Sequence, residues 1–165
     1  MGSVEDKDAI IKNLPFWEHL SKDEKNIVSE KSVLRAYKKG MSIRSSGGGC
    51  LGLILILCGE IRVYILSEEG REITLFRIRN QEACVLSASC VITQITFETN
   101  MAAETDTEVL IIPASVFGKL AENNIYVKCF MYELMTERFS NVIRNMQQMI
   151  FCGFDKRLAE FLLNE

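Results

Sequence analysis

The chain has 165 residues, of which 48% are apolar and 25% charged, with 22 acidic side chains against 19 lysines and arginines. These proportions are typical of a globular protein and exclude a disordered chain or a collagen-like repeat. The net charge of −3 supplies no basic surface of the kind that a self-sufficient nucleic-acid-binding protein needs.

Neither a membrane span nor an export signal is visible in the sequence. The longest apolar run, residues 51–58, is too short to cross a bilayer, and residues 1–8 carry three acidic side chains without an apolar core. We therefore expect a cytoplasmic protein that makes no contact with a membrane. In that compartment most of the six cysteines are expected to be buried, reduced thiols rather than disulfide partners.

The first predicted elements are helices, which we assign to residues 1–31. Ser21 and Glu24 have the spacing of a capping box, a pattern that starts a helix. Pro15 separates this helix from an earlier helical segment, because proline interrupts helical hydrogen bonding.

Residues 32–112 have the pattern of β-strands. Residues 51–57 form an unbroken apolar run, typical of a strand buried on both faces, whereas residues 60–65 alternate between polar and apolar. Glu68-Glu69-Gly70 predicts a hairpin turn with the glycine in the left-handed conformation. Short strands with turn signals at this spacing predict a double-stranded β-helix, or jelly-roll β-roll, so the fold class is mainly β with flanking helices.

Residues 113–150 are predicted to form a short helix that Pro113 opens and a long helix that begins at Ile125 and contains no glycine or proline. Apolar residues recur every seven positions in this long helix, as in the a and d seam of a pair of helices. The first column is Ile125, Tyr132, Phe139 and Met146; the second is Met135, Val142 and Met149. A further column, which begins at Cys129, widens the apolar face. We predict a dimerisation helix; the alternative is a helix packed only on its own domain.

The last segment, residues 151–165, predicts another amphipathic helix with Asp155 as its N-cap. A helix of about ten residues is marginally stable by itself. We therefore interpret this segment as the start of a further domain.

This order of elements and several local motifs resemble the Crp/Fnr family of bacterial transcription regulators. The motifs are Leu14-Pro15-Phe16-Trp17, Cys58-Gly59-Glu60-Ile61-Arg62-Val63-Tyr64, Glu69-Gly70-Arg71-Glu72-Ile73-Thr74-Leu75, Asp106-Thr107-Glu108-Val109-Leu110-Ile111-Ile112-Pro113 and Arg157-Leu158-Ala159-Glu160-Phe161-Leu162-Leu163. The resemblance implies that the β-roll senses an effector, that the long helix forms a homodimer, and that a C-terminal winged helix-turn-helix domain reads DNA. Residues 151–165 look like the start of such a domain, truncated before its recognition helix, so DNA binding is expected only for a longer parent protein.

Family members that bind cyclic nucleotides carry a Gly-Glu-Leu motif and, further along, an arginine followed by Ser or Thr and Ala. The glutamate binds the ribose and the arginine binds the cyclic phosphate. The corresponding positions here hold Leu86-Ser87-Ala88 and Phe97-Glu98-Thr99. Because the phosphate-binding arginine is missing and a carboxylate stands beside its position, we predict that cyclic nucleotides do not bind. A cyclic-nucleotide module with an atypical pocket is the alternative.

The predicted effector region is distinguished by two cysteines with serines between them. A serine N-cap would place Cys90 in the first turn of a short helix, where the thiolate is favoured. We hypothesise that Cys84 and Cys90 sense redox state or an electrophile; the alternative is that these small residues merely pack tightly. The candidate effector residues are Cys84, Leu86, Ser87, Ser89, Cys90, Phe97, Glu98 and Thr99.

Enzymatic and metal-dependent functions are not expected. The sequence contains no hydrolase elbow, phosphate loop or zinc-protease motif, and His19 is its single histidine. We expect neither haem nor an iron–sulfur cluster, because residues 1–49 contain no cysteine and no haem ligand is marked. The sequence therefore predicts the effector-sensing and dimerisation part of a transcription regulator; an effector-free dimeric interaction module is a further alternative.

Overall fold

The structure is a computed structural model that describes residues 4–43, 51–85 and 99–151. The helices are α1 (Val4–Lys12), α2 (Lys22–Lys31), α3 (Ala114–Asn123) and α4 (Ile125–Phe151), with a 3₁₀ turn at Trp17–His19. The strands are β1 (Val33–Tyr37), β2 (Gly52–Cys58), β3 (Ile61–Leu66), β4 (Glu72–Ile78), β5 (Ala83–Cys84), β6 (Asn100–Ala103) and β7 (Thr107–Pro113). This order confirms the predicted succession of N-terminal helices, strands, a short helix and a long helix. The predicted helix within residues 151–165 lies, apart from Phe151, outside the described residues.

The described strands form two antiparallel sheets. The first has the order β1-β7-β2-β5, and the second has the order β4-β3-β6. Strand β7 pairs with β1 on one side and with β2 on the other. These two sheets, with the helices flanking them, confirm the predicted jelly-roll fold.

Strand β2 is buried on both faces because it lies between two apolar cores. Leu53 belongs to the core on the side of the helices, which also contains Phe16 and Phe117. Ile54 and Ile56 belong to the core between the two sheets. The absence of polar alternation in this strand follows from its position, since both faces pack mainly against apolar side chains.

Local signals at the ends of two elements are confirmed. The Ser21 hydroxyl accepts a hydrogen bond from the backbone of Glu24 (3.3 Å), and the Glu24 carboxylate accepts one from the backbone of Ser21 (2.7 Å). An N-cap of this kind stabilises a helix by about 1 kcal/mol. Gly70 adopts a φ of 81° in the turn between β3 and β4, and the backbone N–H of this glycine donates to Ser67 (3.0 Å).

Helix α4 is fixed along one face to the rest of the molecule. Val127, Met131, Leu134 and Arg138, which recur every three or four positions, are all buried. About two turns further on, the Asn145 side-chain amide donates to a backbone carbonyl of β4. The predicted long helix is therefore confirmed. None of the described helices, α4 included, combines the length and apolarity that a membrane crossing requires.

Candidate functional site

Two of the predicted effector residues, Cys84 and Thr99, lie in the described part of the chain. Cys84 ends β5, where it pairs with Ile54 of β2, and Thr99 is a half-buried residue directly before β6. The chain thus enters residues 86–98 from one sheet and leaves them into the other. The other candidates lie outside the described residues: Leu86, Ser87, Ser89, Cys90, Phe97 and Glu98.

The Cys84 side chain is completely buried in the core between the two sheets. By contrast, Cys58 and Cys129 are exposed. A fully buried cysteine behaves as a small apolar side chain and is shielded from soluble oxidants, whereas reactive thiols lie in partially exposed surroundings. Oxidation of Cys84 therefore requires a local opening of the β-roll.

Helix α4 carries an exposed apolar surface, which we call the α4 stripe. It consists of the first predicted column with two residues beside it, and its members are Ile125, Tyr132, Phe139, Ile143, Met146 and Ile150. Phe139, in the middle of the helix, is 67% exposed. Residues seven apart return to nearly the same side of a helix, so the stripe runs along the length of α4.

The second predicted column lies between the α4 stripe and the buried face. Met135 packs against the core on the side of the helices, and Val142 packs against the core between the sheets. Both are half-buried. The side chain of Met149 lies outside the described part of the structure. One face of α4 therefore packs against its own domain, and the first column remains exposed.

Arg138 joins α4 to the strand that leads into the effector region. Its Nη2 atom lies 3.0 Å from the backbone oxygen of Ala83 and 3.2 Å from a carboxylate oxygen of Glu82. The guanidinium also lies over the ring of Phe76, 5.4 Å from its centroid. Arg138 is not among the residues predicted from sequence. A signal was available, because Arg138 continues the helical spacing of the apolar residues Val127, Met131 and Leu134, and a charged residue on an apolar helix face is unusual.

A row of charged side chains lines a concavity beside the second sheet. The charges alternate along this row, in the order Glu72, Arg62, Glu104, Arg77, Glu60 and Arg79. Successive partners lie 2.6–3.3 Å apart. Each of these arginines therefore has at least one carboxylate partner. In the neighbouring turn, a hydrogen bond from Lys38 lowers the pKa of the Asp106 carboxyl.

The single histidine packs against the beginning of α4. The rings of His19 and Tyr126 are stacked with their centroids 3.6 Å apart. Among the described residues, no group of three or more histidine, cysteine, aspartate or glutamate side chains is placed to hold a metal ion.

Comparison with known proteins identifies the family. The family model for the cyclic nucleotide-binding domain matches residues 34–124, which is more than half of the chain. A solved structure from Eubacterium rectale, assigned to the Crp/Fnr family of transcriptional regulators, is 40% identical in sequence and has a TM-score of 0.86. Their alignment covers 92% of this chain and 70% of that chain. The chain therefore belongs to the Crp/Fnr family of transcription regulators.

Two more distant structures share the fold. The sensor domain of the regulator DNR from Pseudomonas aeruginosa is 12% identical, with a TM-score of 0.62 and coverage of 92% of this chain and 98% of that chain. The c-di-GMP-responsive regulator CLP from Xanthomonas campestris is 15% identical, with a TM-score of 0.65 and coverage of 87% and 72%. At these identities the likeness concerns the fold alone. Among curated proteins, none matches the chain.

Proposed function

We propose that this chain is the effector-sensing and dimerisation part of a Crp/Fnr-type transcription regulator. In this proposal the β-roll takes the effector, α4 pairs with α4 of a second copy, and a change in the pair alters an attached DNA-binding domain. The observation that carries the proposal is the α4 stripe, an exposed apolar surface with a seven-residue repeat on a helix whose other face is fixed to the roll. The proposal includes no catalytic activity and no haem or iron–sulfur cofactor.

The α4 stripe favours a second copy of the chain as its partner. Large contiguous apolar surfaces are uncommon on monomeric proteins. A seven-residue repeat is the pattern by which two helices pack along their length, and a two-fold axis places the same stripe on both partners. We therefore expect the chain to sediment with twice its mass of 18.7 kDa. Disruption of this dimer by substitution of Phe139, in the middle of the stripe, is the principal test.

The contacts of α4 with the roll support a route from the effector region to the dimer. Arg138 contacts the backbone of β5, and Asn145 contacts the backbone of β4. Strand β5 leads directly into the predicted effector residues. A change in the position of β5 would therefore act on the buried face of α4, next to the α4 stripe.

Cyclic AMP is expected not to bind this chain. Phe97 stands where cyclic-nucleotide-binding relatives have the phosphate-binding arginine, and the acidic Glu98 follows it in the sequence. A ligand present at 100 times its Kd stabilises a protein by about 2.7 kcal/mol. We expect cyclic AMP to leave the thermal unfolding midpoint unchanged. A rise of several degrees with cyclic AMP but not with 5′-AMP would contradict this prediction and favour the atypical-pocket alternative.

We further propose that Cys84 and Cys90 form the effector-responsive pair through thiol chemistry. Oxidation by diamide would join their sulfur atoms, and the two protons and two electrons released would reduce the diamide to its hydrazine. Because Cys84 is buried, we expect the reaction to be slow in the folded chain. Diamide is expected to shift the unfolding midpoint of the wild-type chain. The shift should disappear in Cys84→Ser and persist in Cys58→Ser, which removes an exposed thiol. The same shift in both variants would overturn the pairing.

A further inference from the structure

A cleft of about 730 Å³ lies between the turn that follows α1, strand β2 and helix α4. Its walls are mainly apolar and include Leu14, Pro15, Leu55, Phe130 and Leu134. Leu14, Leu55, Phe130 and Leu134 belong to, or pack against, the core on the side of the helices. Cys84 belongs to the core between the sheets. Neither of the two described candidate effector residues, Cys84 and Thr99, lines the cleft.

One end of this cleft contains a buried cation with an unsatisfied donor. Arg138 is 2% exposed, and it is the one cation among the described residues that line the cleft. Its Nη2 atom bonds Ala83 and Glu82, but its buried Nε atom has no hydrogen-bond partner in the described structure. A buried N–H group without a partner destabilises the folded state, and an acceptor that reaches it recovers that loss.

The charges around Arg138 restrict the kind of acceptor that fits. Glu82 lies 3.2 Å and Glu137 3.6 Å from the guanidinium, and both line the cleft. Two carboxylates against one guanidinium make the local charge negative, which disfavours a carboxylate or phosphate ligand. An ammonium ligand has only donors, so it cannot accept from Nε. The remaining chemistry is a neutral oxygen acceptor on an apolar molecule.

We propose that this cleft binds a neutral, mainly apolar molecule that carries a carbonyl oxygen. The hydrocarbon part lies against Leu14, Leu55, Phe130 and Leu134, and the carbonyl oxygen accepts a hydrogen bond from Arg138 Nε. Because Nε is buried, the oxygen reaches it when the Arg138 side chain turns toward the cleft. Glu82, the more exposed of the two Nη2 partners, is the one that this turn releases. The proposal does not depend on the identity of the effector of the β-roll.

Calorimetric titration of the chain with three probes of equal length tests the proposal. The probes are 2-nonanone, nonanoate and nonylamine, which differ in charge and in the ability to accept from Nε. We expect 2-nonanone to bind at least about tenfold more tightly than either charged probe, the factor that corresponds to one hydrogen bond. Arg138→Met, which keeps an apolar side chain at this position, is expected to weaken the binding of 2-nonanone by about tenfold.

A matched pair of surface variants provides a test that remains valid even if Arg138→Met fails to fold. Asn13 is exposed and lines the cleft, whereas Lys12 is exposed and does not. Asn13→Trp should fill the mouth of the cleft and abolish binding of 2-nonanone, while Lys12→Trp should leave it unchanged. No binding of 2-nonanone, tighter binding of nonanoate, or equal binding by the two tryptophan variants would overturn the proposal. None of these results bears on dimerisation or on the effector, so failure here is distinguishable from failure of the proposed function.

Discussion

Phe139→Glu is expected to convert the proposed dimer into a monomer. Phe139 lies at the middle of the α4 stripe and is 67% exposed in the single chain. A two-fold axis would place two copies of the new carboxylate in an apolar interface, where burial of an unpaired charge is strongly unfavourable. We expect the dissociation constant of the dimer to rise by at least about 100-fold, or roughly 2.7 kcal/mol. Sedimentation should then give the 18.7 kDa mass of one chain.

Ser140→Glu is the control for this experiment. Ser140 is the next residue of α4, is exposed, and lies about 100° further around the helix, away from the α4 stripe. This variant adds the same charge and should remain dimeric. Circular dichroism of both variants should show an unchanged helix content, because neither side chain belongs to the buried face. A dimeric Phe139→Glu chain would show that the stripe is not the interface, whereas a monomeric Ser140→Glu chain would show that charge on any side of α4 suffices.

Gly52→Ala is expected to destabilise the folded chain severely. Gly52 begins β2 with a φ of 107°, in the region that favours glycine. A Cβ atom at this position would lie 2.1 Å from the backbone oxygen of Ile112 and 2.5 Å from the backbone nitrogen of Ala114. Both neighbours are main-chain atoms at the junction of β7 and α3, so they cannot move aside as a side chain would. We expect the free energy of unfolding to fall by more than about 3 kcal/mol.

Gly70→Ala separates the backbone strain from the steric contact. Gly70 has a φ of 81°, and a Cβ atom there would meet no heavy atom within 4 Å. The free energy of unfolding of this variant should fall only by the cost of an alanine in the left-handed conformation, about 1–2 kcal/mol. Urea unfolding at a fixed chain concentration measures both losses, since a dimer makes the stability depend on concentration. Equal losses in the two variants would mean that the close approach at Gly52 is relieved by small shifts.

The features that could be predicted from sequence are those that depend on near neighbours in the chain. The capping box at Ser21 and the left-handed turn at Gly70 need only the residues around them. The unbroken apolar run of β2 predicted burial on both faces, and the strand indeed separates two cores. The long helix from Ile125 was also predictable, because its seven-residue repeat continues without glycine or proline.

Pairing between distant residues could not be predicted in this way. A seven-residue repeat shows which side of α4 is apolar. It does not show whether that side packs on the chain's own core or on a partner, because both kinds of contact use apolar side chains. Only the packed structure shows that Met135 and Val142 contact the domain while Phe139 is exposed. Likewise, the spacing of Cys84 and its serine neighbours predicted a reactive site, whereas burial of this thiol depends on a second sheet formed by other strands.

The family and the order of the elements follow from the amino-acid sequence, because they reside in local patterns and in single residue identities. By contrast, the exposed face of α4 and the groups around Arg138 become visible only once the chain is folded. Glu82 and Ala83 are 56 and 55 positions away from this arginine in the chain. Electrostatic contacts and burial depend on distance in space, and the packing of β5 against α4 sets that distance.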